Sequence, residues 1–117
     1  MAAASQGYHE DERSLSPRTK DLHRAIVSLQ EELEAIDWYQ QRADATEDPE
    51  LREILAHNRD EEKEHAMMLL EWLRRKDVVF ARMMKLHTGH SGPIVSEEEG
   101  EASGEIDVEG RAAKGEK

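Results

Sequence analysis

Residues 48–75, DPELREILAHNRDEEKEHAMMLLEWLRR, read as one amphipathic helix with a contradiction in its middle. Asp48 is a good N-cap, Pro49 stands at the first helical position, and Glu50 suits the positive end of the helix dipole. With Leu51 at zero on a wheel of about 100° per residue, Leu69 falls near 0°, Leu55 and Leu73 near 40°, and Ile54 and Trp72 near 300°. On the same wheel Glu62 falls at about 20°, Asn58 at about 340° and His65 at about 320°. Three polar side chains thus interrupt the apolar stripe, with aliphatic turns above and below. A carboxylate buried without a partner costs several kcal/mol, so something must compensate Glu62.

The partner lies upstream. Ser16 and Pro17 mark the start of a first helix, and its apolar residues Leu22, Ile26, Leu29, Leu33 and Ile36 step by 4, 3, 4 and 3, a heptad-like core stripe. With Leu22 at zero, Leu33 lies near 20° and Ile26 near 40°, while Glu32 lies near 280°. Glu32 therefore borders the stripe beside Ala25, Ile36 and Tyr39 and can lean inward. The break at residues 45–49, ATEDP, is short, and no glycine occurs between residues 20 and 88. The spacing predicts an antiparallel hairpin, followed by a short third helix over about residues 77–86 with Val79, Phe80, Met83 and Met84. Residues 1–15 read as a flexible arm. Residues 89–117, rich in Gly, Ser and Glu, read as a disordered acidic tail.

The composition narrows the classes of function. Sixteen Lys and Arg against 27 Asp and Glu leave a net charge of −11, which argues against nucleic acid or an anionic membrane as partner and suits cations. The chain has 117 residues and no cysteine, which removes disulfide scaffolds, thiolate nucleophiles and zinc ribbons. No apolar run approaches the roughly 18 residues of a membrane span, and the first residues lack the plan of a signal peptide, so a soluble, cytoplasmic protein is expected. A mean hydropathy of −0.87 leaves too little apolar surface for a large private core. A hairpin of this kind needs a metal or a partner subunit.

Both needs point to one place. Glu62 and His65 form Glu-x-x-His, whose i, i+3 spacing puts both heads on one helical face, and Glu32 faces them from the first helix. Carboxylate and imidazole ligands suit Fe²⁺, Mn²⁺ or Zn²⁺. Di-metal carboxylate bundles use one Glu from each of two helices and one Glu-x-x-His from each of the other two. This chain supplies half the site on half the bundle, and two copies about a two-fold axis would complete both.

The stretches HRAIVSLQEELEAIDWYQQRADA (23–45) and DPELREILAHNRDEEKEHAMMLLEWLRR (48–75) closely resemble the encapsulated ferritins, short ferritin-like proteins carried as cargo inside encapsulin nanocompartments. The resemblance covers about residues 20–88 and implies that residues 16–88 form an all-α, ferritin-like half-bundle. It implies a ferroxidase that oxidises Fe(II) at a di-iron centre between two subunits, a ring of dimers (a decamer), and iron storage by the encapsulin shell. Carried over residue by residue, the ligands are Glu32, Glu62 and His65, with Tyr39 near the metals. Glu31, Glu34 and Trp38 correspond to an outer metal-attracting group, where Ca²⁺ or another divalent cation could bind. Family members usually end in a short apolar Gly/Ser/Leu-type peptide that docks to the shell, whereas this sequence ends EGRAAKGEK. The wheel puts Glu31 at about 180°, Trp38 at about 160° and Glu34 at about 120°, so Glu31 and Glu34 are expected as an exposed pair opposite the core stripe.

Two rival readings use the same residues. One is a non-redox divalent-metal carrier. The other is a structural helical dimer or adaptor in which Glu62 and His65 only enforce register.

Overall fold

A computed structural model describes residues 7–95. It is all-helical, with a short 3₁₀ turn at Glu12–Ser14 followed by α1 (Pro17–Ala45), α2 (Pro49–Lys76) and α3 (Val78–His87), and no strand among the described residues. The two long helices pack against each other. The chain divides into two compact units, Met1–Leu70 and Glu71–Lys117, the boundary falling inside the continuous helix α2. Within the predicted arm, Asp11 caps the 3₁₀ turn by accepting from the Arg13 amide at 2.9 Å. Most of the acidic tail, residues 96–117, lies outside the described residues.

Local chemistry sets the helix ends. Ser16 Oγ accepts from the Thr19 amide at 3.0 Å and opens α1. Asp48 Oδ1 accepts from the amides of Glu50 and Leu51 at 2.9 and 3.3 Å and opens α2, with Pro49 in its first turn. Asp77 alone separates α2 from α3, and its Oδ1 caps Val79 and Phe80 at 2.9 and 3.0 Å. In the last turns of α2, Glu71 binds Arg74 and Arg75 at 2.7 Å each, and those two guanidiniums pull its carboxyl down to about 2.

Polar cross-links fix the antiparallel register of α1 and α2. Arg52 Nε donates to the Ala43 carbonyl at 3.2 Å, Arg59 Nη1 donates to Gln40 Oε1 at 2.8 Å, and His65 faces Glu32. Partner numbers fall on α1 as they rise on α2.

The core differs from the one predicted. Among the described residues only Ala25, Ala43, Ala66 and Leu73 are buried, three of them alanines. Leu33 is 52% exposed and Ile26 37%, although both belong to the stripe expected to face α2. Of the α1 residues that meet α2, Glu32 and Ala43 lie on the wheel about a quarter turn from Leu33 and Ile26, and Gln40 lies near Leu33. Two helices approach most closely over small side chains, so the contact centres near Ala25 and Ala43, leaving Leu22, Leu29 and Ile36 half-buried and Leu33 and Ile26 exposed. On α2, Leu51 and Ile54 are likewise exposed, at 43% and 52%. Several large apolar side chains are thus exposed among the described residues.

Candidate metal centre

Glu32, Glu62 and His65 come together in the hairpin. Each offers a ligand atom within 4.8 Å of the others, and all three are half-buried. The reason is local on α2 and tertiary on α1. One helical turn separates Glu62 from His65, so their heads align, and the hairpin register brings Glu32 opposite them. His65 Nδ1 donates to Glu62 Oε2 at 3.3 Å and lies 3.5 Å from Glu32 Oε2.

The three groups titrate as one cluster. Glu32 is pushed up, first by donating its proton to Glu62, then by burial and by the negative charge of Glu62. Glu62 is pushed down because it accepts that hydrogen bond from Glu32, and then by His65. His65 is pushed up, first by its hydrogen bond to Glu62 and then by the charge of both carboxylates. A raised Glu32 beside a lowered Glu62, with an imidazole whose charged form both carboxylates favour, is a pocket in which protons and a metal cation compete for the same atoms. Two oxygen donors and one nitrogen donor fit a first-row divalent ion, and three donors from one chain leave coordination positions for other ligands.

The other predicted residues stand apart from this group. Tyr39 is half-buried, with the Arg42 guanidinium carbon 5.6 Å from its ring centroid. It sits two turns beyond Glu32, about 10 Å along the helix axis. Glu31 is exposed and Trp38 is 46% exposed, beside a shallow depression of about 300 Å³ shared with Gln41 and Arg42. Glu34 is half-buried and not exposed as expected. Its wheel angle measures distance from the stripe, and that angle does not report what else packs along α1. Asn58 is half-buried on the site's side of α2, and His57 pairs with Glu61 on the outer side. The residues that sequence reasoning missed are Arg52, Arg59 and Gln40, which set the register that brings Glu32 to the site. Arg59 and Gln40 are separated by 19 residues, so no local spacing announces the pair.

The EncFtn-like family model matches residues 7–90. The chain belongs to this encapsulated-ferritin family. Over 98% of its length it is 54% identical to the encapsulated ferritin-like protein of Rhodospirillum rubrum, covering 81% of that protein. It is 47% identical over 83% of its length to a ferritin-like protein of Thermotoga maritima, covering 84% of that protein. A shorter match, 40% identical over 55% of this chain and 52% of the other, is to the encapsulin nanocompartment cargo protein EncC of Myxococcus xanthus. Among solved structures, protein ne0167 of Nitrosomonas europaea is 56% identical and superposes with a TM-score of 0.73, over 78% of this encapsulated-ferritin chain and all of that one. Among the described residues no helix is long and apolar enough to cross a membrane.

Proposed function

We propose that two copies of this chain join across the Glu32–Glu62–His65 face to form a ferroxidase centre, with Fe²⁺ as substrate and dioxygen as electron acceptor. The observation that carries the reading is the convergence of these three side chains within 4.8 Å in one hairpin. It is half of the ligand inventory of a di-metal carboxylate bundle on half of such a bundle. Family membership supports iron handling. The uncovered apolar side chains of the hairpin support a second copy.

The chemistry asked of these residues is limited. Binding Fe²⁺ requires deprotonated ligands, so the ion competes with protons for Glu32, Glu62 and His65. Glu62 would face both ions or sit nearest the two-fold axis; Glu32 would hold one ion from the side; His65 would supply the nitrogen. Two Fe²⁺ ions give one electron each to O₂, which takes up two protons: 2 Fe²⁺ + O₂ + 2 H⁺ → 2 Fe³⁺ + H₂O₂. Two ions held about 3.5–4 Å apart make the paired electron transfer accessible. Tyr39, two turns beyond Glu32 on α1, would stand near the metals. Glu31, Glu34 and Trp38 would act as an outer station that gathers divalent cations. The products pass to an encapsulin shell, a partner suggested by the names of the relatives, and the dimers assemble into a ring.

Anaerobic loading with Fe²⁺ followed by air tests the reading. Two iron ions per two chains by native mass spectrometry, with O₂ uptake and ferric absorbance, are the expected results. Metal retained without O₂ uptake would make the protein a carrier. Assembly and stability indifferent to metal would make the cluster a register device.

A further inference from the structure

Helix α3 has a second apolar face that the metal centre does not use. Val78, Ala81, Arg82, Lys85 and Leu86 follow the i, i+3, i+4, i+7, i+8 rule and line an open groove of about 570 Å³. Its floor is Val78, Ala81 and Leu86, and its rim carries the cations of Arg82 and Lys85. This end of the molecule is basic in an acidic protein. Over residues 71–87, Arg74, Arg75, Lys76, Arg82 and Lys85 stand against Glu71, which pairs with Arg74 and Arg75, and Asp77.

The chain itself supplies the complement. Residues 97–109, EEEGEASGEIDVE, hold seven carboxylates and no cation. Within them Glu105, Asp107 and Glu109 alternate with Ile106 and Val108, the period-2 pattern that gives an extended segment one acidic and one apolar edge. The turn after α3 folds the described chain back toward that helix. Gly89 takes φ 78°, His87 Nδ1 donates to the Ile94 carbonyl at 2.8 Å, and the His90 ring donates to the Leu86 carbonyl. The chain therefore returns to the C-terminal end of the groove before residue 96.

We propose that residues 105–109 of the chain's own tail lie along this face of α3, Ile106 and Val108 on its apolar floor and the flanking carboxylates against Arg82 and Lys85. Reach is no obstacle. The stretch from Val95 to Ile106 spans up to about 36 Å when extended, and a ten-residue helix is only about 15 Å long. A tethered segment sits at millimolar effective concentration, so contacts too weak to hold a free peptide would keep the groove occupied. Any partner that uses this face of α3 must displace the tail. The proposal is independent of the iron chemistry.

The absence of cysteine makes the test clean. Ala81→Cys is paired in the full chain with Ile106→Cys or, as a control, with Ala112→Cys, and disulfide yield under mild oxidation is read by mass spectrometry. Tether length alone favours the nearer position by less than about twofold. Docking predicts about a tenfold preference for position 106 in 20 mM salt, reduced several-fold in 0.5 M NaCl and by Lys85→Glu. Yields at 106 and 112 within twofold of each other overturn the proposal. So does a preference indifferent to both salt and Lys85→Glu. In a mixture of ¹⁴N- and ¹⁵N-labelled chains, single-isotope disulfides support the tail of the same chain, and mixed-isotope disulfides overturn it in favour of a second copy. Unchanged far-UV dichroism of each variant establishes that α3 is intact.

Discussion

Two groups of acidic residues sit side by side on α1, and they differ in what surrounds them. Glu32 meets Glu62 and His65 of another helix, and the three perturb one another's protonation. Glu31 and Glu34, one residue before and two after, share a single helix with Trp38 and meet no second set of metal-type ligands among the described residues. The lesson concerns convergence. Acidic residues are plentiful in a chain with 27 of them, and a site arises where two elements aim theirs at one point from half-buried positions.

The strongest way to break that contrast is Glu62→Ala. A two-fold centre loses the ligand twice, and loss of even a supporting residue around a metal commonly costs 10–100-fold. Ferric absorbance by stopped flow should therefore develop at least about 100-fold more slowly. Near-normal turnover would remove Glu62 from the centre.

A second test separates the centre from its covering. Leu51, Ile54 and Met68 share with His65 a sector of α2 about 100° wide, and all three apolar residues are exposed. Ile54→Lys should leave helicity intact and abolish assembly, since burying a side chain of this size yields about 1.5–3 kcal/mol per copy and an unpaired charge adds to the loss. Iron oxidation should fall with the assembled fraction in native mass spectra. Full oxidation by a monomer would show that one hairpin suffices.

The protonation of the cluster gives a smaller but signed effect. His65 is raised from its ordinary 6.5, so its contribution to stability is complete below that value and is lost as pH rises through the higher folded value. Glu32, raised from 4.5, acts in the same direction, whereas Glu62, lowered from 4.5, stabilises above that value and is lost on acidification. Metal-free protein should thus be most stable between these ordinary values, at mildly acid pH, and its Tm should decline toward pH 8. Zn²⁺, which is redox-silent, should reverse the trend because binding releases the same protons, about one to two per ion by calorimetry in buffers of different ionisation enthalpy. Parallel Tm profiles with and without Zn²⁺ would show that the cluster is not where metal binds.

Much of this was legible in the sequence, for identifiable reasons. The starts of all three helices follow from Ser16, Asp48 and Asp77, whose capping is decided within three residues. The convergence at the centre was legible because Glu62 and His65 are a turn apart and Glu32 borders the apolar stripe of α1, from where it can lean toward them. The sector that α1 turns toward α2 was not legible. A wheel shows that Leu33 and Ile26 belong to one stripe, but the alanines take the closest contact within the chain and leave those two side chains exposed. Glu34 failed for a related reason, since a wheel angle does not report how deeply a side chain is buried.

The smallest expected effect belongs to the outer trio, and Glu34's half-burial decides how to test it. Alanine there would change packing as well as charge, so Glu31→Gln with Glu34→Gln is the better probe. The pair removes two negative charges beside Trp38 while keeping shape. An exposed charge interaction is worth about 0.2–1 kcal/mol, so Fe²⁺ uptake at low salt should slow roughly two- to fivefold. The difference should vanish at 0.5 M NaCl, where the screening length falls to a few ångströms. The final extent of oxidation should be unchanged, because Glu32, Glu62 and His65 remain. If the double variant lost iron as completely as Glu62→Ala, the two groups would be one continuous site and the contrast between them would fail.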